Sequence, residues 1–366
     1  MKRQLLAVAI AAATLLPLTA QAAPTVYGRL NLSVDYTDSD DATNNAKDGI
    51  WELNSNSSRI GVKGNEKLTE EFTAVYKAEW EVQGDMAGGK DLNARERYLG
   101  LKHYQWGTVR LGNIDSPLKN AEDDIDVFND NTILDMDNYA TGQMRLENSI
   151  NYVSPKFLDV FGVNLTLQPS EGASNENHIA DAISTALSYE DDNLYLSFAM
   201  DKDVTTKLPE LVVEVANEVA KLVGNVPVAA TSYSEKRDTM RFNARYKLND
   251  LTISTMFQQS EASNNLNTIA AKMDEELLML SGSYKMDAVT VRGQFSMVNF
   301  DAGKNFIGTS SDEMDTTLIG VGIDYNFTQA TKAYVNLANI KSEVKIGGVS
   351  DDADATYLGF GMETRF

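Results

Sequence analysis

The sequence contains no cysteine. An exported chain of this length with no disulfide draws its stability from a large hydrogen-bonded architecture. After residue 22 there is no apolar run near the roughly 18 to 20 residues that a membrane-spanning helix needs. Histidine is almost absent, at two residues, His103 and His178, and no G-x-S-x-G occurs. Nucleophilic and acid–base catalysis usually draw on a histidine beside the nucleophile, so these absences argue against an enzyme. Basic residues are few: Lys and Arg number 32 against 53 Asp and Glu, for a net charge of -21. Phosphate backbones are gripped by clustered Lys and Arg, which argues against nucleic acid as a partner.

The N-terminus is a separate matter. Met1-Lys2-Arg3 precedes an Ala-rich apolar stretch from Leu5 to Ala20, closed by Ala20-Gln21-Ala22. That order reads as a secretory signal peptide spanning 1–22 and cleaved after Ala22. A membrane anchor fits less well, because the stretch is short and Pro17 interrupts it. Loss of Lys2 and Arg3 would leave the mature chain, 23–366, more acidic still.

An exported chain without an apolar helix is either a soluble periplasmic protein or a membrane barrel, whose strands hide their hydrophobicity by alternation. Alternation recurs along most of this chain. Val26, Gly28, Leu30, Leu32, Val34 and Tyr36 alternate with Tyr27, Arg29, Asn31, Ser33 and Asp35. Phe72, Ala74, Tyr76, Ala78, Trp80 and Val82 oppose Thr73, Lys77, Glu79 and Glu81. Phe161, Val163, Leu165 and Leu167 alternate with Gly162, Asn164, Thr166 and Gln168. Met240, Phe242, Ala244, Tyr246 and Leu248 alternate with Arg241, Asn243, Arg245 and Lys247. The same period runs from Val289 to Met297 and from Thr317 to Phe327. A soluble sandwich explains any one segment; a barrel with a wet lumen explains their sum. About sixteen segments are counted, from 25–36 and 57–65 to 330–342 and 354–366, with short links alternating with long ones. The expected fold is all-β, a closed antiparallel transmembrane β-barrel.

Several connections break the rhythm. Thr37 to Asp48 and Asp301 to Asp315 read as solvated outer loops. The stretch 201–236 is a long insertion, and within it 208–223 has an amphipathic helical pattern begun by Pro209 and ended near Gly224. It reads as a helix on the loops at the barrel mouth, or else as a docking helix for a partner. The stretch 114–142 carries Asp115, Glu122, Asp123, Asp124, Asp126, Asp130, Asp135 and Asp137, with Lys119 its one basic residue. It also carries Ile125, Val127, Phe128, Ile133, Leu134 and Met136, too apolar for a disordered tail. It is expected to pack on the inner barrel wall.

Several segments in order carry a resemblance: Val26-Tyr27-Gly28-Arg29-Leu30, Ser58-Arg59-Ile60-Gly61-Val62-Lys63-Gly64, Arg97-Tyr98-Leu99-Gly100-Leu101, Gly107-Thr108-Val109-Arg110-Leu111-Gly112, Asp115-Ser116-Pro117, Arg145-Leu146-Glu147-Asn148-Ser149-Ile150-Asn151-Tyr152, and a final Phe366. In this the chain resembles the trimeric general porins of Gram-negative bacteria, above all the branch with neisserial and related proteobacterial porins. The resemblance implies sixteen strands, a third loop folded into the lumen, a homotrimer, and an outer membrane with its lipid and lipopolysaccharide. It further implies that Tyr357, Phe360 and Phe366 belong to a C-terminal signal read by the barrel assembly machinery. Asn113 stands where the family often carries arginine, and the 208–223 insertion is longer than the family's pattern.

A diffusion pore selects by width and by the charge of its lining. Strand parity puts Arg29, Arg59, Lys63, Lys77, Arg110 and Arg145 on the lumen side. The expectation is a basic wall facing Asp115, Glu122, Asp123, Asp124 and Asp126 across a waist, passing ions and small hydrophilic solutes, with the acidic loop tilting preference toward cations. Salt bridges that merely tie the loop to the wall are the plainer account of the same charges. The alternatives are a substrate-specific channel and, more remotely, a barrel enzyme. No cofactor is expected. Asp123, Asp124 and Asp126, or Asp312, Glu313 and Asp315, could hold calcium, but neither set has the twelve-residue loop pattern, and a solvated acidic loop explains them better.

Overall fold

The computed structural model describes residues 23–41, 49–86, 92–171, 178–209, 234–263, 274–301, 313–346 and 349–366. Among these, seventeen strands build one antiparallel sheet. They are β1 Thr25–Asp41, β2 Ile50–Ser55, β3 Arg59–Lys67, β4 Phe72–Val82, β5 Leu92–His103, β6 Gly107–Asp115, β7 Arg145–Val153, β8 Phe161–Gln168 and β9 Ala182–Glu190. There follow β10 Leu194–Lys207, β11 Ser234–Leu248, β12 Leu251–Ala262, β13 Asp274–Met286, β14 Val289–Asp301, β15 Glu313–Asn326, β16 Thr331–Ile346 and β17 Val349–Arg365.

From β3 onward each strand pairs with the next in the chain. The ring closes where β17 returns to β1, from Arg29 opposite Arg365 to Asp41 opposite Ala353. On its other side β1 pairs with β3 over 25–29 and with β2 over 32–37. β2 and β3 are therefore two halves of one stave, broken at Asn56-Ser57-Ser58, where Ser57 takes a φ of 49°. Counted that way the seventeen strands make sixteen staves, and closure leaves no backbone edge exposed to lipid.

The alternation read from the sequence decides which face is which. Val26, Leu30, Val34, Met240, Phe242, Tyr246, Ile319, Val321 and Ile323 are exposed on the outside. Their neighbours Arg29, Asn31, Ser33, Asp35, Arg241, Asn243 and Arg245 are buried on the opposite face. Short links such as 249–250, 287–288 and 327–330 fall at one end, where Gly28 N–H also donates to Phe366 O at 2.9 Å. The longer connections fall at the other end.

Strand extents differ from the sequence reading at that second end. β1 continues to Asp41, β10 to Lys207, and β11 begins at Ser234, so the 201–236 insertion is partly strand. β2 was not foreseen, because Ile50 to Ser55 does not alternate cleanly. Ladder hydrogen bonds hold these extensions whatever the side-chain pattern, so polar residues on both faces do not stop the strand. The 208–223 helix, past Pro209, and the 1–22 signal peptide lie outside the described residues.

Between β6 and β7 the chain leaves the sheet over 116–144. It contains a short helix α1, Pro117–Asn120, and a 3-10 turn, Met136–Asn138. Ile125, Met136 and Ala140 pack with Leu208, Met256, Leu277, Met279, Val298, Phe300 and Met314. Phe128 and Leu134 pack with Leu318, Ala338, Ile340 and Tyr357. The strand residues in both clusters belong to the face that elsewhere carries the buried polar groups. Each fully buried side chain of this size contributes about 1.5–3 kcal/mol.

Candidate functional site

The loop over 116–144 is fastened along its whole course. At its start the Ser116 hydroxyl accepts from Lys119 N–H at 3.0 Å and caps α1, while Leu118 N–H donates to the Ser184 hydroxyl on β9 at 3.2 Å. The Ala121 carbonyl accepts from Tyr195, Ser197 and Asn243 at 3.0, 3.1 and 2.7 Å. Arg241, fully buried on β11, ties the outgoing and returning arms together. Its guanidinium donates to Leu118 O at 3.3 Å and Thr141 O at 3.4 Å, and reaches the Glu122 carboxylate at 3.5 Å. Further on, Val127 N–H donates to Gln294 at 3.0 Å, and its carbonyl accepts from Arg292.

The tip reaches β1 and the break between β2 and β3. Asp130 takes Arg29 at 2.8 Å and Arg59 at 3.3 Å. Thr132 donates its N–H and its hydroxyl to Asn56 Oδ1 at 2.8 and 3.0 Å. Burial alone would raise the Asp130 carboxyl, but Arg59, Arg29 and Arg95 outweigh it and hold the group below the usual carboxylate range.

Two other loop aspartates shape the backbone instead. Asp126 accepts from Phe128 N–H at 2.8 Å and Met136 N–H at 2.9 Å. Burial, then the nearby Glu122 charge, pushes its carboxyl up to about 7. Asp135 accepts from Asp130 N–H at 2.6 Å and Asp137 N–H at 2.8 Å. Burial and the Asp126 charge push it well up as well.

Opposite this tip lies a cavity of about 1050 Å³. The barrel side contributes Arg59, Glu81, Arg95, Asp115 and Arg145, and the loop contributes Asp130, Asp135 and Asp137. Of the six basic positions expected at the waist, Arg59 and Arg145 border the cavity. Arg145 is paired with Asp115 at 2.9 Å. Arg29 stands behind Asp130. Lys63, Lys77 and Arg110 lie further toward the short-turn end. Lys63 sits 4.8 Å from the Tyr27 ring centroid, Lys77 meets Glu96 at 2.7 Å, and Arg110 meets Asn151 at 2.8 Å.

Of the five acidic positions, only Asp115 borders the cavity. Glu122 turns to Arg241, Asp123 and Asp124 turn to Arg245, and Asp126 caps the loop's own backbone. The charges opposed across the cavity are therefore not the pairing expected from the sequence. Asp130, Asp135 and Asp137 take the place of Glu122, Asp123, Asp124 and Asp126, because the loop runs along β9–β15 and turns its first acidic run to that wall. Arg95, and the anchors Arg241, Arg245 and Arg292, were not singled out. Parity placed Arg241, Arg245 and Arg292 on the inner face, and parity was the signal that could have found them.

Tyr357 is fully buried on the inner face, whereas Phe360 and Phe366 are exposed on the outer one. His103 is far from the cavity: its Nδ1 accepts from Gln105 and Trp106 N–H, and its ring stacks on Trp106 at 4.1 Å. Among the described residues no three His, Asp or Glu side chains come together as metal ligands. Asp312 lies outside them.

Known proteins place the chain. A model of the Gram-negative porin family matches residues 7–345. The major outer membrane protein P.IB of Neisseria sicca is 24% identical, and the outer membrane porin protein 32 of Delftia acidovorans is 23% identical, each with 100% of both chains covered. Among solved structures, the anion-selective porin from Comamonas acidovorans superposes with a TM-score of 0.72 at 20% identity, covering 94% of this chain and 100% of that one. The trimer form of OmpT of Vibrio cholerae gives 0.62 at 17%, covering 94% and 99%. The chain belongs to the Gram-negative porin family and forms a passive-diffusion channel of the outer membrane.

Proposed function

We propose that the 116–144 loop lies within the lumen and narrows it, and that ions and small hydrophilic solutes pass through the cavity left between the loop tip and β3–β7. The observation that carries this reading is the pairing of charges across that cavity. Arg59, Arg95 and Arg145 stand on the wall and Asp137 and Asp130 on the loop, with Asp130 bridged directly to Arg59 at 3.3 Å where the tip meets the wall. Opposed charges give a transverse field, in which water and polar solutes align while an apolar solute must displace ordered water. Among the described residues the loop packs on β12–β17, which leaves the passage on the β3–β7 side.

The reading extends to the partners. We extend the proposal to export by the 1–22 signal, assembly of the C-terminal strand by the barrel machinery, contact with lipopolysaccharide and a homotrimeric state, a reading that family membership supports. The solved V. cholerae neighbour is a trimer form. No catalytic step and no cofactor is proposed, since the one histidine with described ring contacts holds a turn at the far end of the barrel.

Planar-bilayer recording and liposome swelling test the proposal together. The expected record has three equal conductance steps per insertion, and swelling rates that fall smoothly with solute size. A saturable outlier among the solutes would move the assignment to a substrate-specific channel. Wild-type conductance and selectivity in both Arg59→Ala and Arg145→Ala would remove the cavity from the route.

A further inference from the structure

The loop tip does not dock on an arbitrary part of the wall. It docks on the seam where the first and last strands meet. Asn131 Nδ2 donates to the Tyr357 hydroxyl at 3.3 Å, and that hydroxyl donates to Asp35 Oδ1 at 2.7 Å. Tyr357 belongs to β17 and Asp35 to β1. Asn56, whose Oδ1 takes Thr132, donates through Nδ2 to Ser33 on β1 at 2.7 Å and to the Tyr334 hydroxyl on β16 at 3.1 Å. Tyr334 in turn donates to Asn31 on β1 at 2.7 Å. Arg29, which grips Asp130, also reaches Glu363 on β17 at 3.3 Å.

The last strand is shaped to receive these rings. A methyl group at Gly359 would collide with the Tyr357 hydroxyl, and one at Gly361 would collide with the Tyr334 ring. Both glycines face inward and let the tyrosines lie flat across β17. The same polar chain thus touches β1, the β2–β3 break, β16, β17 and three consecutive tip residues, Asp130, Asn131 and Thr132.

We propose that this network is a latch, in which Tyr357 and Asn56 are positioning residues that seat the loop tip only when β17 has closed on β1. The width of the passage is then set by the seam, and an unclosed barrel cannot form its constriction. The latch rests on the reading that the loop narrows the passage.

Single-channel recording of Tyr357→Phe, Asn131→Ala and the double variant tests it. One buried hydrogen bond shifts the equilibrium between seated and released tip about fivefold. Each single variant should therefore spend about five times longer in a wider, noisier substate. The double variant should match either single one, because both remove one link of the same chain. Heat-induced unfolding of the barrel should stay unchanged in Asn131→Ala, which alters no strand. Thr132→Ser should keep the wild-type dwell times, and Thr132→Val should not.

Asp137→Asn serves as the reference, since Asp137 borders the cavity. A shifted reversal potential in Asp137→Asn, with a silent Tyr357→Phe or with effects that multiply in the double variant, would overturn the latch and leave the constriction standing. A silent Asp137→Asn removes the constriction and the latch with it. Failure of Tyr357→Phe to fold leaves Asn131→Ala and Thr132→Val to decide, and wild-type dwell times in those two would also overturn it.

Discussion

The aspartates of the 116–144 loop divide by what their carboxylates meet. Asp130 meets arginines, whereas Asp126 and Asp135 meet backbone N–H groups in a buried setting. The division has a pH consequence. A carboxyl raised in the folded state is fully stabilising while both states are protonated, and its contribution is lost as pH rises through the folded value. For Asp126 that window runs from the ordinary 3.8 to about 7. Asp130 has the opposite sign: its contribution is present above the ordinary carboxylate value and lost as pH falls through its depressed one. The tip should therefore be seated most firmly in weak acid, with released-substate dwell times lengthening toward neutrality. Asp126→Asn should flatten that slope, leaving the part due to Asp135, and an undiminished slope in the variant would discard the assignment. None of this was legible in the sequence, where an acidic run reads as charge facing a basic wall. Whether an aspartate caps a turn or faces water depends on the path of the loop, and no local pattern encodes that path.

Strand elements were legible wherever their two faces see different media. β11 alternates cleanly because Met240, Phe242 and Tyr246 face outward and Arg241, Asn243 and Arg245 face inward. β13 does not, because Leu277, Leu278, Met279 and Leu280 follow one another. Leu278 and Leu280 are exposed outside, and Leu277 and Met279 are buried beneath the loop. An apolar run inside an otherwise alternating barrel thus marks where something lies on the inner wall, a signal the sequence held and the period-two reading passed over. Ile125 is the loop's counterpart to that bed and is fully buried. Ile125→Ala should weaken the local seating of the loop by about 2–5 kcal/mol, the usual range for emptying a packed aliphatic site. Hydrogen exchange at Phe128 and Met136 would report it. Thermal unfolding of the barrel should barely move, since the interstrand ladder is untouched. A matching fall in barrel stability would mean that loop and barrel unfold as one unit.

At the scale of the whole molecule, the barrel and its outward apolar band followed from alternation and the count of sixteen from the resemblance, whereas the charge of the cavity lining does not follow from the net charge. The chain carries -21, and the acidic loop suggested cations. Part of that acid is spent elsewhere: Glu122 is matched by Arg241 and Asp123 by Arg245, while Asp124, 3.8 Å from the same guanidinium, is exposed. Around the cavity stand six basic residues, Arg59, Arg95, Arg97, Lys119, Arg145 and Lys207, and six acidic ones, Glu81, Asp115, Asp130, Asp135, Asp137 and Glu147. Burial pushes the Asp135 carboxyl well up, which favours its uncharged form over the other acids' full charge. The lining then carries a small positive excess, and we expect a weak preference for anions. An excess of about one charge acting through water at 4 Å is worth on the order of 1 kcal/mol, or about fivefold in relative permeability. Screening should shrink that ratio as salt is raised. Reversal potentials in a potassium chloride gradient measure it directly. Arg145→Ala should carry the pore toward cations, and Asp135→Asn should move the ratio less than Asp137→Asn does, because burial already favours the uncharged Asp135. A cation preference in the unaltered protein would show that acids beyond the cavity, on the outer loops, govern which ions arrive.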